Sequence, residues 1–130
     1  MLRLPGCGPH ITLQIQRLRV NTRRRVFFTL DSGAGYLQCA PEDPPPGLYC
    51  EAQSPESWRV LAAVLTPERL AKLHAAGFAD PGRSPNFSKT YPFEKFSDEM
   101  IAQELLTLLF EVYAYDGRDK LEIGSEKSDR

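Results

Sequence analysis

The chain has 130 residues, of which 42% are hydrophobic and 25% are charged, and its formal net charge at pH 7 is −1. This length suits one domain over residues 1–130, which can bury enough surface for a stable core without disulfides. The composition is that of an ordinary soluble globular protein. The near-neutral charge excludes a broad field that would steer the chain to nucleic acid or to an acidic membrane, so neither is an expected partner.

The cysteine content indicates a reducing compartment. Cys7, Cys39 and Cys50 cannot complete a disulfide framework, because their number is odd, and they lack the CxxC spacing of a zinc site. The N-terminal segment has no long apolar stretch, and no run approaches the roughly 18 apolar residues that a membrane helix needs. We therefore expect a cytoplasmic protein with cysteines as small core residues, and we expect no cofactor and no bound metal.

The N-terminal part of the chain has two interpretations. Residues 1–10 contain two prolines and two glycines, which predicts an irregular tail. Ile11, Leu13 and Ile15 alternate before Leu18 continues in the opposite phase, and this pattern favours a strand with a bulge. A short helix that uses Ile11, Ile15 and Leu18 is the competing interpretation.

Alternating apolar residues predict three strands, at Val26–Leu30, Tyr36–Ala40 and Leu48–Gln53. The glycines of Asp31–Gly35 can supply the positive φ of a hairpin turn. The second connection, Pro41–Gly47, contains three consecutive prolines, which cannot donate ladder hydrogen bonds and therefore end the strand. We expect an antiparallel meander of three or four strands.

The same pattern predicts the register of the second hairpin. If Cys39 lies opposite Cys50, the apolar residues of both strands share the core face and the remaining residues share the other face. A slip by one residue would mix the two sets, which is disfavoured when one face is buried. The core-face set is Leu37, Cys39, Cys50 and Ala52, and the other set is Tyr36, Gln38, Tyr49 and Glu51.

A helix is predicted to begin at Thr66, which offers a capping hydroxyl, with Pro67 at the first helical position. Gly77 fits the left-handed residue that ends many helices. Phe78 could then close on Leu73, as in a Schellman motif.

Two other stretches show no regular apolar pattern. Residues Asp80–Pro92 are rich in Pro, Ser and Asn and predict a loop. Residues Gly124–Arg130 are polar and predict a frayed tail.

The segment from about Asp98 to Tyr115 is predicted to be a helix that is apolar around most of its circumference. One apolar face can cover a sheet, and the surplus face must contact something else. The helix is therefore either a central core helix or part of an interface with a subunit or a client. The interface interpretation selects as contact residues Leu105, Leu109, Val112 and Tyr113.

The only charge cluster is a run of arginines over Arg17–Arg25. One interpretation is a patch for phosphate or an acidic partner, with Arg23, Arg24 and Arg25 as the anion-binding candidates. The interpretation that we favour is a solvated edge that discourages aggregation, because no aromatic residues are interleaved with the arginines.

No catalytic set is evident in the sequence. The chain contains no GxSxG, P-loop, HExxH or GxGxxG pattern, and its two histidines, His10 and His74, are far apart. A site assembled from scattered residues such as Asp31, Glu51 and His74 is the least favoured hypothesis, and we expect no enzyme activity.

Several short patterns follow one another in order: Gly35-Tyr-Leu-Gln38, Leu48-Tyr-Cys-Glu51, Leu65-Thr-Pro-Glu68, Gly77-Phe78, a loop at Pro81–Asn86 and the amphipathic helix Ile101–Tyr113. With them, the stretch from about Phe27 to Ile123 resembles the type III secretion chaperone-like family, and more closely its uncharacterised bacterial branch. The resemblance implies a fold in which helices cover an antiparallel sheet. It also implies that the protein is a homodimer and that surface patches hold a partly unfolded client. It implies no catalytic residues.

From the residues and the resemblance together, we expect an α+β fold with an antiparallel sheet of three to five strands packed against two or three helices. We expect a non-enzymatic protein-binding domain, chaperone-like or regulatory, that acts through apolar surface on the sheet and the long helix. Its expected partner is a protein client or a second copy of the chain. The alternatives are a small phosphate or nucleic-acid binder that uses the arginines of Arg17–Arg25, and a domain with a small-molecule ligand.

Overall fold

The computed structural model describes residues 8–56, 59–82, 84–115, 117 and 122–127. The predicted α+β class is confirmed, because the described residues combine one antiparallel sheet with three α-helices. In chain order the elements are α1 (Gly8–Arg19), β1 (Val26–Asp31), β2 (Tyr36–Glu42), β3 (Gly47–Ala52), a short 3-10 helix (Arg59–Ala63), α2 (Pro67–Ala75), β4 (Phe87–Pro92), α3 (Asp98–Glu111) and β5 (Glu122–Lys127).

The sheet has five strands in the order β4-β3-β2-β1-β5, and every neighbouring pair is antiparallel. Helices α1 and α3 pack against one face of this sheet, and α2 packs against α3. We call that face the inner face and the opposite one the outer face. The apolar core fills the space between the inner face and the helices, so the fold has two layers.

The predicted register of the second hairpin is confirmed. Cys39 pairs with Cys50, and Leu37 pairs with Ala52. All four of these side chains are fully buried on the inner face, whereas the opposite set points away from the core and is half-buried or exposed. Strand β2 runs two residues further than predicted, through Pro41 and Glu42, because these residues still pair with β3. The run of prolines follows directly and ends it.

The strand favoured for residues 11–20 is wrong, and the competing helix is correct. Residues 8–10, assigned to an irregular tail, also belong to α1, and residues 1–7 lie outside the described part of the chain. Ile11, Ile15 and Leu18 form one helical face and are completely buried. Tertiary packing decides between the two patterns here, because this face fits against α3 and the sheet.

Helix α2 begins and ends as the sequence predicts. The Thr66 side chain accepts a hydrogen bond from the backbone N–H of Arg69 at 3.3 Å, and Pro67 is the first helical residue. Gly77 has φ +99°. The backbone N–H of Phe78 donates to the carbonyl of Leu73 at 3.3 Å, which is the six-residue closure of a Schellman motif.

Two predicted irregular stretches contain strands instead. Part of the predicted loop Asp80–Pro92 forms β4, and most of the predicted frayed tail forms β5; residues 128–130 lie outside the described residues. Strand β4 escaped the sequence pattern because Lys89, a charged residue, occupies an inward position between Phe87 and Tyr91. Strand β5, with the sequence EIGSEK, has no apolar alternation, and its pairing with β1 defines it.

Helix α3 begins where predicted but is shorter. The Ser97 hydroxyl accepts a hydrogen bond from the backbone N–H of Met100 at 3.1 Å. The helix ends at Glu111, with Val112 as its cap, rather than at Tyr115. Its buried residues lie on both predicted apolar faces: Ile101, Ala102, Leu105, Leu106, Leu108 and Leu109.

Candidate functional site

The four proposed contact residues on the long helix lie in the interior of the single chain. Leu105, Leu109, Val112 and Tyr113 each have 0% of their surface exposed. The interface interpretation of these residues is therefore corrected, and the core-helix interpretation accounts for them. The physical reason is α1, which packs along α3 and covers the apolar face that seemed to be in surplus.

The arginine run divides into structural and exposed members. Arg19 donates to an Asp98 carboxylate oxygen at 2.7 Å and to the carbonyl of Phe96 at 2.8 Å, so it joins the end of α1 to the start of α3. Arg17 donates to the carbonyl of Phe27 at 2.8 Å. These two guanidinium groups hold the fold together, and the anion candidates are reduced to the three arginines that follow α1.

Arg23, Arg24 and Arg25 line an open depression of about 780 Å³, which they share with the two carboxylates Glu42 and Asp43. Arg23 lies 3.6 Å from Asp43, so part of the positive charge is neutralised. The depression is thus a mixed-charge surface. This arrangement suits the favoured interpretation of a solvated turn better than it suits a phosphate site.

A second depression, of about 320 Å³, opens where the turn meets the sheet. Its sides are Arg24 and Arg25, and its apolar lining includes Phe27, Ala40 and Pro41. It therefore places two cations beside a small apolar surface at one end of the outer face.

The outer face carries aromatic side chains among short polar ones. Phe27, Tyr36 and Tyr49 are half-buried there, while the inward residues beside them in the strands are buried. One cross-sheet row runs through Thr29, Gln38, Glu51 and Ser88. The row beside it pairs Ala40, Tyr49 and Thr90. In the described part of the chain, no helix packs on this face.

Hydrogen bonds fix the side chains at one end of the outer face. Glu51 accepts from the Tyr49 hydroxyl at 3.1 Å, from Ser84 at 3.1 Å and from the Asn86 amide at 3.1 Å. The same amide donates to the Tyr36 hydroxyl at 3.3 Å. The loop before β4 therefore holds these rings in place, and such preorganisation lowers the entropic cost of binding.

The scattered acid and base residues keep separate partners. His74 is paired with Asp80 at 2.7 Å near the end of α2. Asp31 accepts from the backbone N–H of Gly33 at 2.8 Å in the first turn. Glu51 belongs to the outer-face network just described. Within the described residues, no group of three or more His, Cys, Asp and Glu is placed to hold a metal ion.

A polar cluster lies on the inner side of the sheet, where β4 meets α2 and α3. Lys89 contacts a Glu104 carboxylate oxygen at 2.7 Å and donates to the carbonyl of Ala76, the C-cap of α2, at 2.5 Å. The Tyr91 hydroxyl donates to the same Glu104 oxygen. The lysine ammonium also lies 4.4 Å from the centre of the Tyr91 ring, a cation–π contact. These contacts satisfy a charge that would otherwise be costly to bury.

Stability should fall in alkaline solution because three neutral groups are buried. Burial raises the pKa of the Tyr91 and Tyr113 phenols, and with the Cys39 contact it raises that of the Cys50 thiol. In the unfolded chain these pKa values are 9.0 for the thiol and 10.0 for the phenols. The stability that each neutral group contributes is therefore complete below its unfolded pKa and is lost as the pH rises above that value. Each loss is up to about 1.4 kcal/mol per pH unit.

Urea midpoints measured from pH 7.5 to pH 10.5 test this expectation. The Tyr113→Phe variant is the control: it should lose about 1 kcal/mol at neutral pH with its hydrogen bond to Gln53, but should decline less steeply above pH 10. Equal slopes for the variant and the wild type would contradict the role assigned to this phenol.

The sequence predicts contacts through apolar surface on the sheet and the long helix, but the contact residues that it selects belong to the helix and not to the outer face. The signal was present in the alternation of β1 and in the predicted register, which already placed Tyr36 and Tyr49 opposite the core. The length and polarity of the described helices also leave none able to cross a membrane. Comparisons with protein-family models, with curated proteins and with solved structures returned no significant match. The resemblance to the type III secretion chaperone-like family accordingly stays a prediction.

Proposed function

We propose that the chain is a non-enzymatic protein-binding domain, chaperone-like or regulatory, that contacts a protein partner through the outer face of its sheet. The observation that carries this proposal is the one-sided packing of the described helices, which leaves Phe27, Tyr36 and Tyr49 partly accessible on a rigid sheet. Tyrosine and phenylalanine are enriched in protein interfaces, where they bury a large area at a small entropic cost.

The composition of the outer face favours a protein over a small ligand. Aromatic rings alternate with hydroxyl and amide groups of Thr29, Gln38 and Thr90, so the surface can pair with backbone and side-chain polar groups of another chain. The depressions at its margin are open and shared with solvated arginines. A second copy of the chain is one form that this partner can take, as a homodimer.

The chaperone-like part of the proposal rests on the resemblance noted in the sequence. Members of the family that the sequence resembles usually open with a helix, and α1 is such an element in this chain. A client segment held in extended form would lie across the strands or along a sheet edge and gain side-chain contacts with the aromatic residues.

A paired set of variants tests the proposal. The double variant Phe27→Lys/Tyr49→Lys places two charges on the outer face. Leu13→Lys/Met100→Lys is the matched control, because these apolar residues are 59% and 54% exposed on α1 and α3, which pack against the inner face. Affinity capture from a host extract, followed by mass spectrometry, identifies the partner, and light scattering measures self-association. With the purified partner, or in self-association, the outer-face variant should bind at least about tenfold more weakly, while the control should match the wild type.

Equal binding by both double variants would remove the outer face from the proposal. A monomer that captures no protein would remove the protein-binding function itself. Circular dichroism spectra are needed for both variants, since only folded proteins make the comparison valid.

A further inference from the structure

Two cysteines face each other at the centre of the sheet. Cys39 on β2 and Cys50 on β3 are directly paired in the antiparallel register, and their free thiols are in direct contact. Both are completely buried on the inner face. The sequence predicts small core residues at these positions, and the function proposed above does not use them.

The backbone geometry of this position is compatible with a covalent bond. Directly opposite residues of antiparallel strands have Cα atoms about 4.5–5.5 Å apart, and disulfides join Cα atoms about 4.4–6.8 Å apart. The two side chains also point to the same face, because paired residues in a sheet do so. A bond between the sulfur atoms therefore requires no change of strand register.

We propose that Cys39 and Cys50 form a reversible oxidative modification site, at which a hydroperoxide converts the two thiols into a cross-strand disulfide. The proposal is independent of the partner-binding function, because it concerns the inner face. Both cysteines are fully buried, so the oxidant must be small enough to enter the core.

The reaction proceeds in two balanced steps. Burial raises the pKa of the Cys50 thiol, so the reacting thiolate is a minor species at neutral pH, and we expect the oxidation to speed up as the pH rises. The thiolate attacks an oxygen of hydrogen peroxide, the O–O bond breaks, and the departing hydroxide leaves as water after taking up a proton. The sulfenic acid that results is then attacked by the second sulfur. The S–S bond forms, the S–O bond breaks, and a second water leaves with the thiol proton. Two thiols are oxidised by two electrons, and one peroxide is reduced to two waters.

The expected consequence is a more stable sheet centre. The bond would join β2 to β3 across the connection that contains the three prolines, and closing such a loop restricts the unfolded chain. We expect the thermal midpoint of the oxidised protein to rise by about 5–10 °C. A thiol reductant should return the midpoint to its starting value.

Mass spectrometry tests the proposal directly. The Cys7→Ser protein is used so that only the paired thiols remain, and both lie in the tryptic peptide 26–59, because no Lys or Arg separates them. Reduced, folded protein is treated with hydrogen peroxide, then unfolded in guanidinium with N-ethylmaleimide and digested. We expect a peptide that carries no maleimide and is lighter by two hydrogens than the unlabelled reduced peptide. When dithiothreitol is added before the labelling step, the same peptide should carry two maleimides.

Control reactions exclude other outcomes. Cys50→Ala in the same background has no partner thiol and should not give the lighter peptide. A second control exposes guanidinium-unfolded protein to the same peroxide. If the peptide from folded, peroxide-treated protein still takes up two maleimides while the peptide from the unfolded protein takes up none, the buried pair is not a modification site. Two or three oxygen atoms added to a cysteine, without loss of two hydrogens, would also overturn the proposal, because they indicate sulfinic or sulfonic acid instead of a disulfide.

Discussion

Replacing Leu109 with aspartate should unfold the domain instead of changing its association state. The Leu109 side chain has no exposed surface and lies where α3 packs into the core. Aspartate at this position would remove apolar contacts and place a carboxylate in the hydrophobic core. The expected cost is several kcal/mol, a large share of the roughly 5–15 kcal/mol that stabilises a typical domain. Far-UV circular dichroism and urea denaturation measure this effect.

Met100→Asp is the matched control for this substitution. Met100 lies on the same helix but is 54% exposed, and it lies in the first turn, where a negative charge interacts favourably with the helix dipole. Its change in stability should stay within about 0.5 kcal/mol. A folded Leu109→Asp protein with an altered mass in light scattering would restore the interface interpretation of α3.

Gly35→Ala should destabilise the domain by about 2–3 kcal/mol, although it adds a single methyl group. A Cβ atom at position 35 would lie 2.3 Å from Cδ1 and 2.8 Å from Cε1 of the Tyr113 ring. The ring cannot easily move away, because it is fully buried and its hydroxyl donates to the carbonyl of Gln53 at 2.7 Å. The first hairpin therefore depends on a close approach between its turn and the residue that follows α3.

Gly82→Ala provides the comparison, because a Cβ at position 82 meets no atom within 4 Å. Urea midpoints should show a large loss for Gly35→Ala and almost none for Gly82→Ala. In a Tyr113→Leu background the added cost of Gly35→Ala should shrink, which a double-mutant cycle measures as a coupling energy. An unchanged cost in that background would show that Tyr113 is not the source of the effect.

The best-predicted part of the fold is the β2–β3 hairpin. Its register followed from two facts that act together over a short distance: the alternation of apolar residues and the proline-rich connection. The ends of α2 were predictable for the same reason, since Thr66 and Gly77 determine local backbone geometry through their own chemistry.

Elements that depend on distant partners were not predictable. The pattern from Ile11 to Leu18 favours a strand by itself, and only packing against α3 selects the helix. Lys89 broke the apolar pattern of β4, and only Glu104 and Ala76, far away in sequence, make its burial acceptable. With residues 11–20 predicted as a strand, no helix is available to cover the second apolar face of α3. The sequence therefore predicts that another chain covers this face.

The prediction of the candidate site was wrong for the same reason, because residues 11–20 were predicted as a strand. The predicted contact residues belong to the core because α1 covers them, so the accessible surface lies on the opposite side of the sheet. Tyr36 and Tyr49 were correctly placed on that side by the register, but their exposure could be judged only once every helix had been assigned to the inner face.

The position of β5 has a consequence for synthesis. Val26 near the start of β1 pairs with Lys127, about a hundred residues later in the chain, and this pairing makes β1 an internal strand. On the ribosome, β1 and the two strands after it can assemble as a meander, but the outer edge of β1 stays open until β5 emerges. A nascent chain paused before that point would present an unprotected strand edge, the feature that most readily recruits neighbouring polypeptides or a ribosome-associated chaperone.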